Sequence, residues 1–474
     1  MNRTRNIAQS RDTDWTLVLL YFIFVGIGLM SIFSANYDAN VFAHIQFSDL
    51  WQTHFGKQII WIGIAVVVAF VIQLLDSRFF TLSAFALYGT MIAILVLVFF
   101  LGKEIAGSRS WFQLGGFRFQ PSELAKSATV LALAKYLSSL HVNIRQFTPK
   151  LITAGIILLP MLLTTLQGDA GTALVYSSLV LVLYREGLAG IFLIVTGVLL
   201  LLLLLTLMYG VLNLGTFLSI AGIIVSFVFF NQNKKDFILL FGGSLALLLG
   251  NIFFPPAYAW IWFIVVVLIA LGNSFFYFQY KFNAAGMLTL LTVAFLYIQL
   301  INYGYENMLK PHQKARIAVM LGKVEDIRGV GYNLHQSKIA IGSGGLWGKG
   351  YLHGLQTKGN FVPELHTDFI FCTIGEEFGF WGSLVLLGLF TWFFIKLILV
   401  AERQHAAFSR IYAYGTLAIF FFHVVVNIGM TIGLLPIIGI PLPFVSYGGS
   451  SLISFTVLLF ILIRLDANRR YALR

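Results

Sequence analysis

Trp15-Thr-Leu-Val-Leu-Leu-Tyr-Phe-Ile-Phe-Val-Gly-Ile-Gly-Leu-Met-Ser-Ile-Phe-Ser34 is a run of about twenty residues with no charged side chain. As a helix it would be about 30 Å long, the thickness of a bilayer's hydrocarbon core. It is longer than a signal-peptide core, and Phe33-Ser34-Ala35 is a poor cleavage site, so it reads as a retained first membrane helix. Similar runs recur near 58–75, 79–101, 121–140, 151–166, 172–185, 187–209, 213–231, 236–253, 257–279, 283–302, 367–399, 411–430 and 447–464. The sequence therefore predicts an all-α polytopic membrane protein, a helical bundle of about 14 transmembrane helices with both termini on one side.

Composition agrees. The 474 residues are 59% hydrophobic and 11% charged, against roughly a quarter charged in soluble proteins. A single cysteine, Cys372, excludes a disulfide framework, and no His pair or Cys/His pattern suits zinc. The net charge of +12 would suggest nucleic acid in a soluble chain; here it follows topology. Eighteen of the thirty-one Lys and Arg fall on the side of the termini, and eight of the others lie in one loop, 303–366. This places both termini in the cytoplasm. Of ten prolines only Pro160 interrupts a span, where a kink is expected.

Chemistry-bearing residues gather on the opposite side, in three places. The first is Gly107-Ser-Arg-Ser-Trp-Phe-Gln-Leu-Gly-Gly-Phe-Arg-Phe-Gln-Pro-Ser-Glu-Leu-Ala-Lys126. Pro121 suits a helix start, and Glu123 and Lys126 share one helix face. They read either as a self-satisfying ion pair or as the charged wall of a cavity. The second is the long loop, with Tyr332-Asn-Leu-His-Gln-Ser-Lys338, Ile341-Gly-Ser-Gly-Gly-Leu-Trp-Gly-Lys-Gly350 and Phe361-Val-Pro-Glu-Leu-His-Thr-Asp-Phe369. The glycine-rich part fails as a phosphate loop, since Ser343 stands where its first glycine belongs and Gly350 where its Ser/Thr belongs. Taken singly, its lysines fit a solvated loop.

Asp368 enters an apolar span after Pro363, with Thr367 placed to cap the helix. An acid there either complements the helix dipole or does chemistry. Glu376 and Glu377, about 12 Å further along the same helix, need a partner or a wet cavity. The third place is Gly433-Leu-Leu-Pro-Ile-Ile-Gly-Ile-Pro-Leu-Pro-Phe-Val-Ser-Tyr-Gly-Gly-Ser-Ser451, whose Ser446, Ser450 and Ser451 bind a polar head group or cap a helix. Asp169 reads as a helix cap. A Mg²⁺ or Mn²⁺ held by one acid and a substrate phosphate would leave no motif, so that cofactor stays open.

Together these segments resemble the SEDS family of bacteria (shape, elongation, division, sporulation), and its RodA branch more than its FtsW branch. Phe119-Gln-Pro-Ser-Glu-Leu-Ala-Lys126, Gly331-Tyr332, Gln336-Ser337, Pro363-Glu364, His366-Thr-Asp-Phe-Ile-Phe371 and Ser446-Tyr-Gly-Gly-Ser-Ser451 look like its signatures, in its order. The run Ala340 to Gly350, with Gly354 and Gln356, is similar to RodA. The resemblance covers roughly 10–186 and 283–470. It divides the chain into family-like helices over 1–186, four additional helices over 187–282, a helix at 283–302, an extracytoplasmic loop at 303–366 and C-terminal family-like helices over 367–474. Ser110 stands between Arg109 and Trp111 where the family usually has Arg directly before Trp, Gln-Pro-Asp-Leu-Gly reads Gln167-Gly-Asp-Ala-Gly171, and the family's frequent Asp-Pro reads Asp326-Ile327.

The resemblance implies an inverting peptidoglycan glycosyltransferase of the bacterial cytoplasmic membrane. Such an enzyme polymerises lipid II into β-1,4 glycan on the outer face for cell elongation and rod shape. Its implied partners are a class B penicillin-binding protein and the MreB/MreC/MreD-type elongation machinery, with no nucleic acid. Asp368 becomes the catalytic acid, with Glu123, Lys126, Arg109, Lys338, Lys349, Glu364, Ser446 and Ser450 binding substrate. A lipid II flippase and a non-catalytic scaffold for a transpeptidase are the competing functions.

Overall fold

Asp14 starts the first helix: its carboxylate accepts the N–H groups of Thr16 and Leu17, two donors that a helix start leaves open. The computed structural model describes residues 13–37, 51, 53–105, 108–114, 117–230, 233–253, 283–307, 314, 318, 332–358 and 365–469. The chain divides into two compact units, one of 1–190 with 326–474 and one of 191–325.

The first unit begins with α1 (Trp15–Ala35), α2 (His54–Leu74) and α3 (Ser77–Leu101). Three short strands follow, β1 (Lys103–Ile105), β2 (Ser108–Leu114) and β3 (Phe117–Phe119), forming an antiparallel sheet in the order β1-β2-β3. This sheet is an addition to the expected all-helical reading. Next come α4 (Pro121–Leu137), α5 (Phe147–Leu166), α6 (Ala170–Ser177) and α7 (Val180–Arg185). The short span expected at 172–185 is thus two helices. The second unit holds α8 (Ile191–Phe229), α9 (Lys234–Phe253) and α10 (Asn283–Asn307). The first unit resumes with α11 (Tyr332–Ser343), α12 (Leu355–Lys358), α13 (Ile370–Glu402), α14 (Ala407–Thr431) and α15 (Gly449–Ala467).

Ten of the described helices are long and apolar enough to cross a membrane. α8 has 39 residues, nearly twice what a bilayer needs, and Gly210 divides it with non-helical angles (φ 80°, ψ 164°), matching two expected spans. The expected span 257–279 lies outside the described residues.

Within the second unit, α10 packs with α8 and α9, although the sequence reading grouped it apart from them. Leu288 and Phe295 of α10 lie where Cβ atoms at Gly243 and Gly215 would fall, 2.3 and 3.0 Å away. The Asp236 carboxylate accepts the Asn233 amide at 2.7 Å and the Ala284 N–H at 3.4 Å.

The first unit has a front end, where α4 and α13 begin, and a back end, where α1 begins and α15 finishes. Charged side chains staple the back end. Arg403 donates to Asp466 and to Asp14, Gln404 donates to Asp466 at 2.7 Å, and Arg469 pairs with Asp466 at 2.9 Å. Burial works to lower the Arg403 pKa, but the two carboxylates outweigh it and hold the guanidinium above its ordinary value. These contacts fix the ends of α1, α13 and α15 together.

Between them the core is aromatic. Phe24 stacks on Phe390 with ring centres 4.3 Å apart, and Phe420 and Phe455 close on Phe444 at 5.2 and 5.9 Å. Phe444 belongs to no helix. The segment 433–448, read from sequence as an exterior loop, folds back into the bundle, and Leu442, Phe444 and Val445 are buried. Phe444 holds a φ of 65°, unusual for a residue with a side chain. α1 admits this plug at Gly28, where a Cβ would lie 2.5 Å from the Val445 carbonyl oxygen.

Two helix irregularities are repaired by neighbours. Pro160 cannot donate to the Ile156 carbonyl one turn earlier, and the Tyr88 hydroxyl of α3 does so at 3.0 Å. α13 breaks at Gly379 (φ 63°, ψ −154°), and the strap after α11 enters the break. Lys349 and Gly350 N–H donate to the Glu376 and Glu377 carbonyls at 3.0 and 2.9 Å. In return the Gly345 and Leu346 carbonyls accept from Phe380 and Trp381 N–H at 2.9 and 3.3 Å. Each bond that a continuous helix would make between 376 and 380 or 377 and 381 is exchanged for one to the strap. Gly348 permits the approach: a Cβ there would fall 2.1 Å from the Glu377 carbonyl oxygen.

Gly28→Ala should lower stability by about 1–3 kcal/mol through overpacking against the plug. Gly26→Ala, two residues away with no atom within 4 Å of its Cβ position, should be neutral or slightly stabilising. Thermal unfolding of both variants in one detergent checks the difference.

Candidate active site

The turn 365–369 precedes α13, and its Asp368 is half-buried. α13 starts at Ile370 with Phe369 at the cap and no side-chain capping bond. Thr367 therefore sits two residues short of the capping position expected for it. The Asp368 turn is held instead by Asn427 of α14. Its side-chain amide donates to the Asp368 carbonyl at 2.8 Å and to the Ile440 carbonyl of the plug at 2.7 Å. One buried amide thus joins two front-end segments that are distant in sequence. Gly439 (φ 75°) lies beside the acid, since a Cβ there would be 3.2 Å from Asp368 Oδ2.

Neighbouring segments meet the same turn. Tyr447 N–H donates to the His366 carbonyl at 2.8 Å. The His54 ring lies 4.2 Å from that of His366 and 5.0 Å from that of Tyr447. Burial raises the Tyr447 pKa, and the positive charge of exposed Arg118 on β3 partly opposes this. On another side Asp169 caps α6 through Thr172 N–H at 3.0 Å, as expected, and also accepts the Gln120 side-chain amide at 2.7 Å. Gly171 abuts the plug, where a Cβ would lie 2.9 Å from the Ile438 carbonyl oxygen.

Glu123 and Lys126 are buried on the first turns of α4. They pair at 2.9 Å and are 3% and 1% exposed, which is the self-satisfying arrangement. Lys126 also reaches His423 Nε2 at 2.9 Å and stands 5.3 Å above the Phe455 ring. His423 Nδ1 faces the Pro441 carbonyl at 3.2 Å. A carbonyl accepts only, so Nδ1 carries the hydrogen and Nε2 receives one from Lys126.

The remaining sequence candidates separate. Lys349 pairs with Glu376 at 2.7 Å, and Glu376 also accepts Gln356 N–H, Thr357 N–H and the Thr357 hydroxyl. Glu377 accepts from Ser34 and from Leu352 N–H. Of these partners Lys349 and Leu352 belong to the strap, and the others lie on α1 and α12. The strap's N–H groups at 348–350 bond to carbonyls, as the failed phosphate-loop pattern anticipates. Ser446 accepts Leu442 N–H at 2.8 Å; Ser450 accepts Gln120 N–H at 3.1 Å and donates to the Arg118 carbonyl at 3.2 Å. Both hydroxyls hold protein segments together. Arg109 is exposed and donates to the Phe99 carbonyl at 3.3 Å. Lys338 is exposed on α11 and extends over Gly433. Glu364 lies outside the described residues. Among the described residues no three His, Cys, Asp or Glu side chains are grouped to hold a metal.

Sequence reasoning missed Asn427, His423, His54 and Arg118. Asn427 and His423, polar and four apart on an apolar span, carried a signal, because such residues in a membrane helix need a reason. Arg118 stands in the first polar stretch, one residue before the signature Phe119–Lys126.

The family model described as "Cell cycle protein" (FtsW/RodA/SpoVE) matches residues 14–217 and 229–471. It therefore takes in all of the region 187–282 except 218–228. The chain is 32% identical to the peptidoglycan glycosyltransferase RodA of Treponema pallidum, over 97% of this chain and 98% of that one. It is 31% identical to the peptidoglycan glycosyltransferase MrdB of Escherichia coli K12, over 86% and 84%. Its fold is similar to that in a structure reported as "Structural coordination of polymerization and crosslinking by a peptidoglycan synthase complex" (TM-score 0.62, 24% identity, 96% and 98% covered). The crystal structure of RodA from Thermus thermophilus is also similar (TM-score 0.55, 24% identity, 96% and 97% covered).

Glu123→Gln or Lys126→Met alone should cost roughly 3–5 kcal/mol, because each leaves a buried partner uncompensated. The double variant should recover part of that loss. A double-mutant cycle on thermal unfolding measures the coupling.

Proposed function

The chain belongs to the FtsW/RodA/SpoVE family of cell cycle proteins, and from that premise we propose that it is a peptidoglycan glycosyltransferase. It polymerises lipid II into β-1,4 glycan for cell elongation, as supported by its similarity to RodA and MrdB. The observation that carries the assignment of the site is the placement of Asp368. This half-buried acid of the signature His366-Thr-Asp-Phe-Ile-Phe371 lies at the front end beside Gly439.

In this reading the Asp368 carboxylate accepts the proton of the acceptor sugar's 4-hydroxyl as its oxygen attacks the donor's anomeric carbon. The bond from that carbon to the lipid pyrophosphate breaks on the opposite face, so the α-linked donor becomes a β-1,4 link. We assign Arg118, whose charge acts on Tyr447, and Lys338, which extends over Gly433, both exposed, to the departing pyrophosphate. Lys126 and Lys349 act from within the protein, through their ion pairs. A Mg²⁺ or Mn²⁺ shared between Asp368 and the pyrophosphate would add charge neutralisation there.

The front end then faces the outside of the bacterial cytoplasmic membrane, and the cation-rich back end with both termini faces the cytoplasm. A class B penicillin-binding protein crosslinks the product, and MreB/MreC/MreD-type elongation proteins complete the assembly. The aromatic packing around Phe444 fills the bundle centre where a flippase would need a path.

Asp368→Asn, purified with its penicillin-binding partner, should convert labelled lipid II to glycan at least a hundredfold more slowly than wild type, in keeping with loss of a general base. Undiminished polymer from the folded variant would remove Asp368 from the chemistry; absence of polymer from both proteins with lipid II movement across liposomes would favour the flippase. Asn427→Leu should reduce kcat while leaving KM for lipid II near wild type, since it releases the acid's turn without touching the cations.

A further inference from the structure

The strap of residues 344–352 lies at a depth that can be read from α1. That helix has 21 residues, about the length of a hydrocarbon core, so its last turn marks the front boundary of the bilayer. Ser34 of that turn bonds Glu377, and Leu352 N–H of the strap bonds the same carboxylate at 3.1 Å. The Tyr351 hydroxyl reaches one turn deeper, to the Met30 carbonyl at 3.3 Å. At its other end the strap enters the α13 break, pairing with Phe380 and Trp381, which lie beyond Glu377 along the span.

The outward face of this strap is apolar. Leu346 is 62% exposed and Trp347 80% exposed, and the Trp347 ring lies 6.3 Å from that of Trp381. Phe380 and Val385 continue the exposed apolar surface down α13. Inward, the Lys349 and Gly350 N–H groups and the Gly345 and Leu346 carbonyls bond α13, Glu376 pairs with Lys349, and one Glu377 oxygen accepts from Ser34 and Leu352, so much of the strap's polar surface is engaged inside the protein.

We propose that residues 344–352 form a lipid-seated strap, with Leu346 and Trp347 inserted in the interfacial layer of the front-end leaflet beside Trp381, and Lys349–Glu376 as the bond that keeps it there. The partner is phospholipid. Tryptophan is favoured at this level of a bilayer, where its ring meets acyl chains and head groups. The segment that sequence assigns to water is on this view part of the membrane-embedded surface. The inference stands apart from the enzymatic assignment, since it concerns only where the strap lies.

Spin labels test it. Cysteine is placed at Trp347, at Val385 as a lipid-facing reference and at Leu140 as a water-facing one, in a Cys372→Ser background. Each protein is reconstituted in liposomes of phosphatidylethanolamine and phosphatidylglycerol. Accessibility to oxygen, which partitions into lipid, is compared with that to a water-soluble nickel chelate. The oxygen-to-nickel ratio at 347 should be several-fold above that at 140 and approach that at 385. A ratio at 347 equal to that at 140 overturns the proposal, and so does exclusion of both reagents, which would mean protein covers the site. Glu376→Ala should shift the ratio at 347 toward the water value with 385 unchanged. No shift would overturn the anchoring role of the Lys349–Glu376 pair.

Discussion

A peptide group inside a bilayer has no water to bond, so every departure from helix in this protein must be answered by another protein group. Three irregular places in the first unit are answered differently. At Pro160 the answer is one hydroxyl, that of Tyr88. At Gly379 it is a second backbone, which takes over the bonds the helix gives up. In the plug at 433–448 it is a pair of side chains on α14, His423 and Asn427, which donate to the Pro441 and Ile440 carbonyls. A Phe444 seated among five other aromatic rings compensates for its backbone strain by burial.

The candidate site is a by-product of the third repair. Asn427 already faces the plug, and its second hydrogen goes to the Asp368 carbonyl, so the acid's turn and Gly439 are set by the same amide. His423 does the equivalent one turn away, linking the plug to Lys126 and through it to Glu123. α14 therefore connects the buried ion pair, the plug and the acid, and a disturbance at any one reaches the others through two side chains. This explains why charge is buried here at all: Lys126 has two acceptors and an aromatic face, which together replace much of its hydration.

What sequence reveals follows from what kind of pattern carries it. Spans such as Trp15 to Ser34 are legible because hydrophobic length is a property of contiguous residues. The ion pair at Glu123 and Lys126 is legible because i and i+3 on a helix are neighbours. The sheet was less so, although two short runs rich in aromatic residues flank Gly115-Gly116, a hairpin signal. The plug and the strap were read as exterior loops because glycine and proline mark the end of a helix but do not say where the chain goes next. Partners such as Ser34 for Glu377, or Asn427 for Asp368, join residues hundreds or tens of positions apart and have no local trace.

Four acids near Asp368 in the first unit are each engaged by protein groups in a different way. Glu123 is closed off with Lys126, Glu376 is clamped by Lys349 and the Thr357 turn, Glu377 lies under the strap, and Asp169 is engaged as a cap and by Gln120. A general base must meet a substrate hydroxyl and then pass its proton to solvent, which a carboxylate sealed beneath protein cannot do in each turnover. Asp368 is half-buried, its turn is fixed by Asn427, and it lies beside Gly439 of the plug. Glu123, Glu376, Glu377 and Asp169 are each held by the carboxylate itself, whereas Asn427 holds the Asp368 turn by its main chain.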